Sequence, residues 1–155
     1  MAVTITPARS EDDWQAVRAI RQAVFVEEQA CPPDEEWDAH DASERRGTLT
    51  HHLLARVDGE AAGCARWRPY DDGAGTAKLE RFAVVPALRG TGIGRALVGR
   101  AIADASAAGH ARLVLHAQAY LTDFYAGFGF RAVGDPFQEA GIEHVKMERT
   151  SGQPP

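Results

Sequence analysis

Alternate glycines at 90, 92 and 94, set between an apolar strand and an apolar helix, limit this chain more than any other feature. The segment reads Leu79-Glu-Arg-Phe-Ala-Val-Val-Pro-Ala-Leu-Arg-Gly-Thr-Gly-Ile-Gly-Arg-Ala-Leu97. Pro86 stops the strand. From Gly92, Ile93, Leu97 and Ala101 recur at helical spacing with Val98, Ile102 and Ala105 beside them. Glycine lets the backbone turn tightly and come close to a ligand. The N–H groups that open the helix have no internal partner, and the helix dipole favours an anion there. The join therefore predicts a pyrophosphate cradle, a glycine turn that holds nothing being the alternative. An ATP-type loop needs a lysine after its glycines, and a dinucleotide fingerprint needs a third glycine where Arg95 stands. Neither fits.

Around that join the pattern predicts a strand over 3–6 and a helix over 11–28. Ser10 caps the helix, Asp13 stands three residues on, and Trp14, Val17, Ile20 and Val24 form its apolar line. Strands over 52–57 and 61–68 meet at Asp58-Gly59, a hairpin dipeptide. A loop over 69–76 leads to a strand over 78–85, the helix over 92–107, and Gly109 as its stop. A strand over 112–118, a short helix over 121–127 and strands over 130–133 and 144–149 complete the order. Residues 29–50 carry no period and predict a loop with a short helix. The sum is an α+β domain over 1–150, a mixed sheet with helices on both faces, and a flexible tail at 151–155.

Composition narrows the function. A formal charge of −5 argues against a nucleic-acid partner, which needs a basic face. No stretch nears the roughly 18 apolar residues of a membrane span, and the start has no cationic leader. Two cysteines, Cys31 and Cys64, form no CxxC pair, so the expected home is a reducing cytoplasm.

Arg-Gly-x-Gly-x-Gly after Ala83-Val-Val-Pro86 resembles the acetyl-CoA signature of the GNAT (GCN5-related N-acetyltransferase) superfamily. A second element, Phe124-Tyr-Ala-Gly-Phe-Gly-Phe130, follows at the family's distance. Phe25-Val-Glu-Glu-Gln29, Leu115-His-Ala-Gln118 and Glu139-Ala-Gly-Ile-Glu-His144 further resemble the bacterial YjcF-like and ElaA-like subgroup. The resemblance covers about residues 3–149 and implies the GNAT fold, with a mixed, mostly antiparallel central sheet. It implies acetyl-CoA as cosubstrate, an amine acceptor, no metal, and allows a homodimer. The backbone of Gly90, Thr91, Gly92, Ile93, Gly94 and Arg95 would hold the CoA pyrophosphate, with Arg89 and Arg95 adding charge. Phe82, Ala83 and Val84 would pair with the pantetheine arm and help polarise the thioester. Many relatives carry Asn where this chain has Gln118, which is expected to keep a polar contact to pantetheine.

Acetyl transfer needs a neutral amine, a polarised carbonyl and a way to neutralise the departing thiolate. A free alkylamine has a pKa of about 10, so a base or a water relay must take its proton. The resemblance puts the acid at Tyr125, which could otherwise only pack beside Phe124 and Phe128. For the base the sequence leaves several candidates. Glu80 lies on the motif strand, Glu27 and Glu28 end the first helix, and His116 is an imidazole, a group whose unperturbed pKa is near about 6.5. Water alone is a further option.

Eight carboxylates (Glu27, Glu28, Asp34, Glu35, Glu36, Asp38, Asp41 and Glu44) fall between Arg21 and Arg45, where no Lys or Arg stands. If they flank the acceptor site, their field favours a small cationic amine; otherwise they form a solvated loop. His40, Asp41, His51 and His52 lack a ligand spacing, and adjacent strand histidines point apart, so no metal site is expected. The alternative to an enzyme is a non-catalytic acyl-CoA-binding or sensory module on the same fold.

Overall fold

The computed structural model describes residues 2–70 and 75–150. In chain order the elements are β1 (Val3–Pro7), α1 (Glu11–Arg21), α2 (Pro33–Glu36), β2 (His51–Val57), β3 (Glu60–Pro69) and β4 (Thr76–Val84). They continue as α3 (Ile93–Ala107), β5 (Arg112–Gln118), α4 (Thr122–Ala126), β6 (Arg131–Ala132), β7 (Phe137–Glu139) and β8 (Ile142–Thr150). The sheet runs β1-β2-β3-β4-β5-β8-β6, with β7 on β8. Every pair is antiparallel except β4 and β5.

Period-two alternation builds a core on each face of the sheet. Leu54, Cys64 and Ala83 meet Trp14, Val17, Ile20 and Val24 on one side. Leu53, Ala55, Ala65, Ala77 and Leu79 meet Ile93, Leu97, Val98 and Ala101 on the other. Gly63 lets α3 come close, since a Cβ there would stand 2.8 Å from Ala83 O and 3.0 Å from Leu97 Cδ1.

Ser10 and Asp13 form a capping box at α1. Asp58 (φ 50°) and Gly59 (φ 87°) form the β2–β3 turn, both in the left-handed region that the hairpin requires. Beyond Arg21 the first helix departs from expectation. Residues Gln22–Glu28 widen into a π-helix, with Gln29 N donating to Val24 O at 3.1 Å. Such widenings recur at functional sites. β7 was not expected; its three residues are too few to show a period, and Ala140 and Gly141, both at positive φ, turn it back onto β8. Of the expected loop over 69–76, residues 71–74 lie outside the described residues, as does the tail at 151–155.

Candidate active site

β4 and β5 are hydrogen-bonded only where Thr76–Lys78 face Arg112–Val114. Both strands then run on, to Val84 and Gln118, without pairing to each other. The sheet opens there as a wedge. Backbone N–H and C=O groups on the free edge of β4 need partners, and an extended, amide-bearing chain can supply them as an added strand does. A cavity of about 1020 Å³ fills the wedge and reaches from Gly90 and Gly92 to His116 and Glu139.

A bulge shapes the β4 wall. Arg66 pairs with Glu80 but Cys64 pairs with Ala83, so β4 carries one residue more than β3 between these points. Arg81 adopts φ 58°, unusual for a non-glycine and a sign of strain held by its surroundings. The extra residue reverses the alternation. Ala77 and Leu79 face the α3 core, Ala83 joins the α1 core, and Phe82 and Val84 pack against the α3 side.

At the mouth, Gly90 (φ 78°) and Gly92 (φ 94°) make the turn into α3. A Cβ on either would meet nothing within 4 Å, so the positive φ and the open space beside it are what glycine provides. Gly92 caps α3 without a side-chain hydrogen bond, and the first turn holds no acidic residue. The N–H groups and the positive end of the dipole stay available for an anion. Arg89 does not point free toward that anion. Its Nε donates to Val84 O at 3.0 Å, and its two terminal nitrogens hold Glu28 at 2.5 and 2.6 Å. Arg95 lies 5.6 Å over each of the Phe124 and Phe128 rings.

Tyr125, 7% exposed, lines the cavity from α4, with its ring 6.2 Å from Phe82. Burial pushes its phenol pKa well up, so it holds its proton across the neutral range. Gln118 donates to Gln29 Oε1 at 3.0 Å, tying the end of β5 to the end of the π-helix.

The base candidates separate clearly. Burial alone would raise the Glu80 pKa, but Arg66, Lys78, Arg68 and Arg81 outweigh it and hold the carboxyl far below its ordinary range. Its Oε2 accepts from Arg68 Nε at 2.9 Å and Arg66 Nε at 2.7 Å. A carboxylate so committed is a poor proton acceptor. Glu28 is bound to Arg89, and Glu27 is exposed and outside the cavity lining. His116 lines the cavity, its Nδ1 3.0 Å from Glu139 Oε1.

The acidic segment is neither a free field nor a solvated loop. Glu36 Oε2 lies 2.6 Å from Arg21 Nε, and Glu36 Oε1 lies 3.0 Å from Arg81 Nε, near enough for charge pairing though out of line for a hydrogen bond. Asp38 binds Arg66, and Asp41 binds both Arg21 and Arg66. With Glu28, four of the eight carboxylates are spent on internal arginines. No charge pattern in residues 29–50 could reveal this, because the arginines come from α1, β3 and β4. His51 stacks on Trp67 at 4.1 Å and His52 packs edge-on to Trp14 at 4.8 Å, on opposite faces. Among the described residues no three His, Cys, Asp or Glu side chains converge as a metal site.

Comparison with known proteins fits this geometry. The acetyltransferase (GNAT) domain family matches residues 21–151. The chain belongs to the GNAT family. It is 32% identical to the uncharacterized N-acetyltransferase YjcF of Bacillus subtilis, over 90% of this chain and 94% of that one. The crystal structure of Escherichia coli ElaA superposes with a TM-score of 0.83 at 29% identity, covering 96% of this chain and 99% of that one. An acyl-CoA N-acyltransferase from Pseudomonas aeruginosa gives 0.81 at 32%, with coverage of 96% and 99%. These relatives place the chain in the YjcF-like and ElaA-like subgroup of GNAT proteins, and acyl transfer is its class of chemistry.

In GNAT terms, one cavity gathers residues from every expected part: Phe82, Ala83 and Val84 on β4, the glycine turn, Gln118 and Tyr125. Thr91 and Ile93 stand apart from its lining. Thr91 Oγ1 donates to Leu88 O at 2.5 Å, and Ile93 is buried in the core. Glu139 and His144, which also line the GNAT cavity, were not among the expected site residues. Their only signal was the motif over 139–144, which carries no spacing that announces a contact with β5.

Proposed function

We propose that this chain, acting as one domain over residues 1–150, is an N-acetyltransferase that moves acetyl from acetyl-CoA to a primary amine by direct attack in a ternary complex. The observation that carries this is the single wedge with an anion-binding turn at its mouth and a buried, protonated Tyr125 in its wall. The N–H groups from Gly90 to Arg95 take the pyrophosphate, and the free β4 edge at Phe82, Ala83 and Val84 takes the pantetheine amides. Gln118 adds a polar contact to that arm. Lining the same cavity, His116 accepts the proton of the incoming amine. The amine lone pair attacks the carbonyl carbon, the C–N bond forms as the C–S bond breaks, and Tyr125 gives its proton to the leaving sulfur. Glu80 serves as part of the wall rather than as the base. The acceptor is a small amine, and the spent carboxylates leave less field in favour of a cation than composition suggested. Cys31 and Cys64 are free thiols, which suits a reducing cytoplasm.

The test is thiol release from acetyl-CoA across a panel of cationic, neutral and anionic amines. One amine class should raise release above background, and Tyr125→Phe should lower kcat by about a hundredfold on it, as loss of a general acid does. Acetyl-CoA that does not bind, or a Tyr125→Phe variant with unchanged kcat, sinks the reading.

A further inference from the structure

His116 on β5, His144 on β8, and Phe137 and Glu139 on β7 come together, and all but Phe137 line the cavity. The register explains it: His116 stands opposite Lys146 and Gln118 opposite His144, while Phe137 pairs with His144 on the other edge. Positions two apart share a face, so these side chains rise on one side of the sheet. The short β7 turn, at Ala140 and Gly141, returns Glu139 to that face.

Hydrogen-bond chemistry fixes the proton on each ring. Glu139 Oε1 lies 3.0 Å from His116 Nδ1, and a carboxylate can only accept. His116 therefore carries its hydrogen on Nδ1 and leaves Nε2 with a lone pair. His144 Nδ1 lies 2.7 Å from Ile142 O, which also only accepts. Neutral His144 thus turns a lone pair toward Glu139 Oε2, 3.7 Å away, and cannot take that carboxylate from His116. The Phe137 ring stands edge-on to His116 at 5.0 Å and stacks on His144 at 6.0 Å, holding both planes. The hydrogen bond from His116 holds the Glu139 carboxyl below its ordinary range against the burial that opposes it, with Lys78 adding to it.

We infer that Glu139 is a positioning residue: it fixes His116 as the Nδ1–H tautomer so that Nε2 is the atom that takes the amine proton. The same division of labour, a carboxylate orienting an imidazole that acts through its other nitrogen, serves serine hydrolases on unrelated folds. The inference rests on the transferase reading for the role of His116, but the tautomer itself does not. The Glu139 side chain is 44% exposed, so replacing it removes no core contact.

Long-range proton–nitrogen spectra of the 15N-labelled full chain at alkaline pH read the tautomer directly, with His116→Gln assigning the signal. Wild type should show Nδ1 protonated and Nε2 bare. Glu139→Gln keeps an acceptor oxygen and should keep that state, whereas Glu139→Ala should lose it. On any amine that turns over, Glu139→Ala should lower kcat about tenfold or more, with KM for acetyl-CoA within about twofold, and Glu139→Gln should recover part of the loss. A wild-type His116 with its proton on Nε2, or Glu139→Ala with unchanged tautomer or kcat, overturns the inference. If no amine turns over, the transferase reading falls, and the spectra still decide whether Glu139 sets the ring.

Discussion

His52 offers a sharp quantitative test, because its ring is buried at 4% exposure with neither nitrogen hydrogen-bonded. Burial, then Arg21, pushes its pKa down to about 3, and Asp41 at 3.8 Å only partly opposes this. In the unfolded chain the ring titrates near about 6.5. Between those values the unfolded state binds more protons, so stability falls as pH falls. Going from about pH 7.5 to about pH 5, the unfolded ring is almost fully protonated and the folded one is not, which costs about 2 kcal/mol. Carboxylates with depressed pKa values, such as Asp41 at about 2, lose their contribution only in more acid solution. His40 and His51 shift the same way as His52, and Glu36, raised by burial, shifts oppositely. Comparing wild type with His52→Leu cancels these three. Urea unfolding followed by tryptophan fluorescence at both pH values gives the two differences. Wild type should lose about 2 kcal/mol more than His52→Leu on acidification. Parallel losses in the two proteins would refute a neutral, unpartnered imidazole beside Trp14.

Two further substitutions probe the frame of the site. Asp41→Asn leaves Arg21 and Arg66 short of a partner in a buried network, and should cost about 3–5 kcal/mol by urea unfolding, far more than an exposed pair would. Gly63→Ala drives a Cβ to 2.8 Å from Ala83 O, so β4 or α3 must shift; about 1–3 kcal/mol should be lost, and KM for acetyl-CoA should rise with it.

What the sequence could reveal followed from periodicity and backbone chemistry. The capping box at Ser10, the Asp58-Gly59 turn and the strand over 112–118 are local signals, and the structure repeats them nearly residue for residue. The glycine-turn end of the cavity was legible for the same reason, since glycines and a helix start are adjacent in the chain. The His116 end was not. Glu80 looked like a base because nothing local shows that Arg66 and Arg68, on the neighbouring strand, take its charge. Glu139 was invisible as a partner of His116 because it lies 23 positions further along the chain, and only the fold makes the two neighbours. The acidic segment misled for a like reason: its counter-charges arrive from three distant elements.

The extra residue at the β4 bulge also sets what length changes the chain can survive. Side chains switch faces there, so Glu80 belongs to one phase of the strand and Ala83 to the other. Deleting Arg81 would remove the bulge and leave Phe82 toward α3 and Ala83 toward α1, whereas losing Phe82 with the bulge kept would exchange the two faces from Ala83 onward. An insertion in the neighbouring loops could not undo that, because loop length does not alter strand phase. Loops such as the one between β6 and β7 can lengthen or shorten at small cost, whereas the distance from Lys78 to the glycine turn is a fixed count. The β4 wall of the cavity is therefore written in the number of residues as much as in their kind.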